Sequence, residues 1–385
     1  MHSQSLVSVF VPYYNDQQFL NECIESVLAQ TYTTFELILL NHASTDASYS
    51  IAHSYTDSRI KHIELSLNYG AGGGLLLEAF LREASGVYAK LFCADDIMLP
   101  DCLETLVGYL QQHPEADVVF GDMNYVDEKG VLQNDSWFQS RPYLSLNHTD
   151  VDHLRNYATG FSCLPYPAVC LKTECLKKAF IHSSFIMLFD MALWSSLIIQ
   201  GYSFKLLNYP VVNYRIHPCQ VSSVQQQALA ERRSYFEALS YLNVFYKIKS
   251  VEWVKYIYTA SFNEHFINKL QPNDQELIPF VIAHYYFNSE HPQYIMHGYL
   301  KLQELLNDPR CRDAVYSKFN FSIKDLRVLY SSMFIPTDMS RKQQIYRTPI
   351  KELGFGALLF LALRRVINKI KFWIGRNKTK KRHSV

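Results

Sequence analysis

Apolar residues follow two rhythms along the first third of this chain. Mainly apolar runs at 6–12, 35–40 and 87–93 have the length of buried strands, and a further strand is expected at 59–65. Between the first two, Phe19, Leu20, Cys23, Ile24, Val27 and Leu28 recur at helical spacing, with Asp16 placed to cap the helix start. Leu103, Leu106, Val107 and Leu110 mark another helix after Pro100, and 117–123 another strand. Strands alternating with helices in units this short predict βαβ units and an α/β fold on a mainly parallel sheet.

From residue 124 the rhythm breaks. Residues 124–166 are polar, aromatic and irregular, and helical spacing returns at 191–199. It dominates at 225–247, 251–270, 275–287, 295–306 and 323–333, where the short connections carry Pro272, Pro292 and Pro309. The Tyr and Phe residues of this helical extension suit a core better than a ligand platform. The expected organisation is a first domain at 1–222, with halves at 1–124 and 125–222, then a helical lobe at 223–350 and a tail at 351–385.

Composition adds where these parts work. At 385 residues the chain has room for two lobes, and with 48% hydrophobic and 19% charged residues it is not a disordered protein. The net charge is +1, yet residues 353–385 hold nine Lys or Arg and no acid. The remainder therefore has 28 basic residues against 36 acidic ones, a net of −8. A mildly acidic body with a basic tail is not a nucleic-acid profile.

In that tail, Leu363, Val366, Ile367, Ile370, Trp373 and Ile374 share one side of a helical projection, opposite Arg364, Arg365, Asn368 and Lys369. Such a helix is expected to lie on an anionic membrane surface, the alternative being a helix docked on the body. The eight cysteines include no CxxC pair and read as reduced thiols. No signal peptide is visible, and no apolar run reaches the roughly 18 residues of a membrane span. The expected location is cytoplasmic, peripheral on the inner face of the cell membrane.

The candidate chemistry sits where the run Val87-Tyr88-Ala89-Lys90-Leu91-Phe92-Cys93-Ala94 ends in Asp95-Asp96. In an open α/β sheet, ligands collect at the carboxyl ends of strands. Adjacent carboxylates repel unless a cation, donors or water stabilise them, and a hard oxygen pair suits Mg²⁺ or Mn²⁺ holding a phosphate ester. A solvated acidic loop is the plainer reading of the same dipeptide.

Four motifs in order carry a resemblance. They are Val7-Ser8-Val9-Phe10-Val11-Pro12-Tyr13-Tyr14-Asn15, then Ser26-Val27-Leu28-Ala29-Gln30-Thr31-Tyr32, then Asn41-His42-Ala43-Ser44-Thr45-Asp46, then Ala94-Asp95-Asp96. Over about residues 6–222 the chain resembles the family 2 glycosyltransferases of bacterial surface-polysaccharide type. The resemblance implies a GT-A fold, Rossmann-like, with a C-terminal helical extension. It also implies inverting, metal-dependent transfer from a nucleotide diphosphate sugar to a hydroxyl of a glycan or lipid-linked acceptor, in polysaccharide or lipopolysaccharide assembly. It makes Asp96 the ligand of Mn²⁺ or Mg²⁺ and places Asp95 on the ribose or a second metal contact. Pro12, Tyr14 and Asn15 fall at the donor.

Asn41-His42 replaces the usual acidic pair that meets the nucleobase. The Asn41 amide oxygen or a neutral His42 nitrogen could still accept the N3–H of uracil, so a UDP-sugar is the expected donor. Leu77 and Glu78 stand where the family shows Arg and Asn. The preceding Gly70-Ala71-Gly72-Gly73-Gly74 reads as a phosphate-facing loop or a plain turn. Phe189-Asp190-Met191-Ala192-Leu193-Trp194 resembles the Glu-Asp-x-x-x-Trp segment and makes Asp190 the catalytic base, with helix capping as its other reading. Tyr214-Arg215-Ile216-His217 through Ser222 matches the family's close. There Arg215 and His217 meet the diphosphate or pin the last strand to the body. The departures motivate an alternative, a catalytically silent scaffold in a membrane-associated glycan-assembly complex, against which Asp95, Asp96 and Asp190 all stand. A sugar-phosphate nucleotidyltransferase shares the sheet type but needs a glycine- and arginine-rich opening loop that is absent.

Overall fold

Valines 7, 9 and 11 point to one face of the first strand and Phe10 to the other, and both faces are buried. This is why the strand reads as a mainly apolar run. The computed structural model describes residues 4–70, 73–141, 148–159, 164–179, 185–220 and 227–333. The tail at 351–385 and its membrane reading lie outside them.

Nine strands form one sheet: β1 (Val7–Tyr13), β2 (Phe35–Asn41), β3 (Ile60–Glu64), β4 (Tyr88–Leu91), β5 (Ile97–Met98), β6 (Val118–Val126), β7 (Leu132–Ser136), β8 (Val169–Lys172) and β9 (Phe204–Arg215). Their order is β3-β2-β1-β4-β8-β6-β9-β5, with β7 beside β6. The first half is parallel, as the alternation predicts. The second half is mixed. β8 enters antiparallel between β4 and β6, β9 runs parallel to β6, β5 pairs antiparallel with β9, and β7 antiparallel with β6. The irregular 124–166 stretch is more ordered than its composition suggests, because the end of β6, β7 and a helix lie within it.

The helices of the first domain are α1 (Leu20–Leu28), α2 (Ser48–Ser54), α3 (Gly73–Glu83), α4 (Cys102–Gln112), α5 (Asp150–Ala158), α6 (Thr173–Lys178) and α7 (Phe189–Ile199). The helical extension continues as α8 (Gln227–Tyr241), α9 (Val251–Ile257), α10 (Glu264–Lys269), α11 (Ile278–Phe287), α12 (Pro292–Asn307), α13 (Pro309–Phe319) and α14 (Ile323–Met333). The expected helices at 225–247 and 251–270 are each broken. A 3₁₀ segment takes over at Leu242–Lys247, and residues 258–263 separate α9 from α10.

Two apolar clusters flank the sheet. One, under α1 and α4, is built from residues 7–212 alone. The other packs α3, α5 and α7 on the opposite face and runs without a break into the C-terminal helices as far as Leu326. α7 is buried on every side from Met191 to Ile198, as befits a helix between layers. No helix among the described residues is long and apolar enough to cross a membrane. The seven described cysteines are free thiols.

Candidate active site

The loops after β1, β2 and β4 meet at the carboxyl edge of the parallel half. Asn15 adopts a left-handed φ of 56° and Ala43 one of 59°, a conformation that Asn tolerates better than most side chains. Asn15 Oδ1 accepts the Thr45 N–H at 2.8 Å, and its own N–H donates to Ser44 Oγ at 3.1 Å. The two motif loops are thereby tied together, with Pro12 half-buried at the end of β1 and Tyr14 exposed beside them.

Asp16 does not cap α1. The N-cap position falls to Phe19 without a side-chain bond, and the Asp16 carboxylate turns back to accept the Tyr14 N–H at 2.8 Å. Burial, with Asp95 and Asp46 nearby, pushes the Asp16 carboxyl up to about 6 against the pull of that N–H. Asp16 is thus a further acid beside the strand-end pair. Its proximity to Asp95 arises across the sheet edge, which sequence spacing does not reveal.

Asp96 is 1% exposed. Its Oδ1 accepts the Arg215 N–H at 2.9 Å, while Oδ2 is buried without a hydrogen-bond partner. Burial and the neighbouring Asp95 push its carboxyl well above the ordinary range. Donor atoms of Cys93, Asp95 and Asp96 lie within 4.8 Å of one another. A bare, buried carboxylate oxygen next to a second carboxylate fits a divalent cation, and a hard oxygen pair suits Mg²⁺ or Mn²⁺. Behind them Lys90 is fully buried, its Nζ donating to the Leu91 and Pro167 carbonyls.

His217 Nε2 lies 3.1 Å from Asp95 Oδ2, and its ring packs on Phe19 at 4.6 Å. Arg215, also 1% exposed, faces the protein's own acceptors. It donates from Nε to the Asp95 carbonyl at 2.9 Å, from Nη1 to the Glu128 carbonyl at 2.9 Å and from Nη2 to Glu22 Oε2 at 2.5 Å. These contacts match the strand-pinning reading of Arg215 and hold the acid pair against α1.

At the end of β2 the expected base contacts are already engaged. Asn41 Nδ2 donates to Glu64 Oε2 at 2.7 Å, and its Oδ1 accepts the Ser44 N–H at 2.9 Å. His42 Nε2 accepts the Tyr69 N–H at 2.8 Å, which leaves the hydrogen of the neutral ring on Nδ1. Burial lowers the His42 pKa and favours that neutral form. The His42 nitrogen expected to accept a uracil N–H is therefore occupied by the chain itself. Tyr14 and Tyr69, both exposed, flank His42 at ring distances of 6.3 and 6.1 Å.

Asp190 lies in the first turn of α7 rather than at its cap, which is Leu188, and its Oδ1 accepts the Met191 N–H at 2.7 Å. Burial pushes its carboxyl up to about 6 despite that bond. Tyr166, half-buried, sets its ring against Phe189 and Trp194 at 6.2 and 6.4 Å. Glu237 of α8 accepts N–H groups from Ile186 at 3.0 Å, Met187 at 2.8 Å and Leu188 at 2.9 Å, and so fixes the loop that delivers Asp190. Phe189, which stands where the family has an acid, covers Gly73, where a Cβ would come within 2.4 Å of the ring. Gly73 of the glycine-rich stretch is thus a packing residue.

The strand-end acid pair, closed by β9, sits at the edge of a mixed sheet flanked by helices, the arrangement of the GT-A fold. Residues 8–170 match the family model described as glycosyl transferase family 2. An uncharacterized glycosyltransferase of Haemophilus influenzae is 29% identical over 259 residues, 63% of this chain and 76% of its own length. One of Methanocaldococcus jannaschii is 27% identical over 215 residues, 55% of this chain and 71% of its own. Among solved structures, S. aureus TarS 1–349 in complex with UDP-GlcNAc overlays at 19% identity and a TM-score of 0.46, covering 85% of this chain and 91% of that one. That overlap is loose and carries no argument.

Proposed function

We propose that this glycosyltransferase moves a sugar, with inversion, from a nucleotide diphosphate sugar to an acceptor hydroxyl, using a divalent cation held by Asp96. The observation that carries the reading is the buried, partnerless Asp96 Oδ2 beside Asp95 and Cys93. A bound Mn²⁺ or Mg²⁺ would supply Lewis-acid stabilisation of the diphosphate leaving group. His217, fixed by Asp95, is placed to donate a hydrogen bond at the same edge, and Arg215 positions the pair from behind. Asp190 removes the proton of the attacking hydroxyl, and a carboxyl near 6 is poised for that role at neutral pH.

Pro12, Tyr14, Asn15, Asn41 and His42 form the donor end. With His42 Nε2 engaged, a uracil N3–H would be met by the second lone pair of Asn41 Oδ1, and the His42 Nδ1–H is a donor for a base oxygen. UDP-sugar thus stays the leading donor through Asn41. The reading includes a glycan or lipid-linked acceptor in bacterial polysaccharide or lipopolysaccharide assembly, reached through the basic tail on an anionic membrane.

Calorimetry of the full chain with UDP, GDP, ADP and dTDP, each with Mn²⁺ and with chelator, tests it. Metal-dependent binding of one nucleotide diphosphate is expected. Binding of none would favour the silent scaffold. Sedimentation with anionic liposomes, with and without residues 353–385, tests the tail, and equal pelleting would end the membrane reading.

A further inference from the structure

β3 is an edge strand of the sheet, and its residues are half-buried except for the exposed Glu64. His62 and Glu64, two residues apart on it, share a face. His53 reaches them from the last turn of α2, and His53 Nε2 lies 3.0 Å from Glu64 Oε1. The His53 and His62 rings stack at 4.1 Å with 16° between planes. One donor atom from each of the three residues falls within 4.8 Å of the others. His62 Nδ1 is buried and has no hydrogen-bond partner. Two imidazoles stacked beside a carboxylate, one with a bare buried nitrogen, are poorly explained by packing alone, since a buried polar atom left unpaired costs about 1–3 kcal/mol.

We propose that His53, His62 and Glu64 form a second cation site, separate from the acid pair and of zinc rather than manganese character. Two imidazole nitrogens with one carboxylate oxygen are a zinc donor set that leaves a fourth position to water, whereas the hard oxygens of Asp95 and Asp96 suit Mg²⁺ or Mn²⁺. Bonds of about 2.0–2.1 Å to a tetrahedral centre put ligand atoms roughly 3.4 Å apart. The present 4.8 Å spread closes to this by side-chain rotation, which the partial exposure of all three residues permits. The cation would fasten α2 to the edge strand. Glu64 also holds Asn41 through its other oxygen, so the fastening extends to the end of β2 where the donor base is expected.

The full-length protein, stripped with chelator, is titrated with Co²⁺ and Zn²⁺ beside His53→Gln, His62→Gln and Asp96→Asn. The parent should bind one equivalent of Co²⁺ with the visible spectrum of a tetrahedral nitrogen–oxygen site and gain thermal stability with Zn²⁺. Both histidine variants should lose that equivalent and that gain, while Asp96→Asn keeps them. His53 is exposed on a short helix, so His53→Gln tests the site even where His62→Gln disturbs the fold. Equal Co²⁺ binding by parent and His53→Gln would overturn the proposal. So would loss of the equivalent in Asp96→Asn, which would place the cation at the acid pair. Nucleotide binding enters none of these readouts, so failure here leaves the proposed transfer reaction standing.

Discussion

The two faces of the sheet anchor the acid pair and Asp190 differently. On the α1 and α4 face the apolar cluster closes within residues 7–212, and the Asp95–Asp96 pair is held from that side through Arg215 and Glu22. On the other face the cluster is completed by the C-terminal helices, and the loop that delivers Asp190 hangs on Glu237 of α8. The acid pair and Asp190 therefore have separate supports. Substitutions should divide accordingly, some abolishing donor binding and others slowing transfer with the donor still bound.

The largest effect is expected at Asp96. Asp96→Asn keeps an oxygen for the Arg215 N–H but loses the charge that a cation needs. Metal-dependent nucleotide binding should vanish and turnover fall about 10³-fold, the equivalent of roughly 4 kcal/mol. Without metal, its Tm should match or exceed that of the parent, because the replaced group is a buried carboxylate with one bare oxygen. Retained metal-dependent binding in calorimetry would move the cation site elsewhere.

Asp190→Asn should leave donor binding intact and slow transfer at least about 100-fold. The parent's rate carries the sign of the same group. A base must be deprotonated, so activity should fall as pH drops through about 6 and level off above it. That acidic limb should be missing from the residual rate of Asp190→Asn. A parent pH profile flat from 5 to 8 would separate Asp190 from the proton transfer.

Smaller effects belong to the supports. Glu237→Gln leaves one oxygen to serve three N–H groups. It should lower stability by about 1–3 kcal/mol and kcat several-fold, while the Kd for nucleotide is unchanged. A change in nucleotide affinity instead would mean that the two supports are coupled. Confined to stability is the effect of Gly73→Ala, whose methyl meets the Phe189 ring at 2.4 Å. A loss of about 1–3 kcal/mol is expected by thermal melt, and Phe189→Leu in the same chain should recover part of it.

The donor half was the more legible in sequence, for a physical reason. β1, β2 and β4 are covered on both faces and read as mainly apolar runs, and α1 has one buried stripe at helical spacing. Local periodicity carries that information. The antiparallel entry of β8 between β4 and β6 has no local signature, and neither has the break between α9 and α10. Among site groups, the strand-end position of Asp95 and Asp96 follows from the pattern alone. The approach of Asp16 to Asp95 and of Glu237 to Met187 spans 50 or more residues and depends on how the layers close. His42 shows a finer limit. Its residue type allows it to accept a hydrogen bond, but only the fold reveals that Tyr69 already uses that nitrogen.

The grip of Glu237 on three consecutive backbone N–H groups also bears on how the chain is made. Residues 186–188 emerge from the ribosome about fifty residues ahead of their acceptor, and the apolar face over α3 and α7 waits still longer for the helices that cover it. A nascent chain that has just completed β9 therefore has every strand of its sheet but an exposed greasy flank, a state prone to aggregate or recruit chaperones. Cutting the gene after residue 222 would freeze that state, and the fragment should accumulate as insoluble protein rather than as a minimal enzyme.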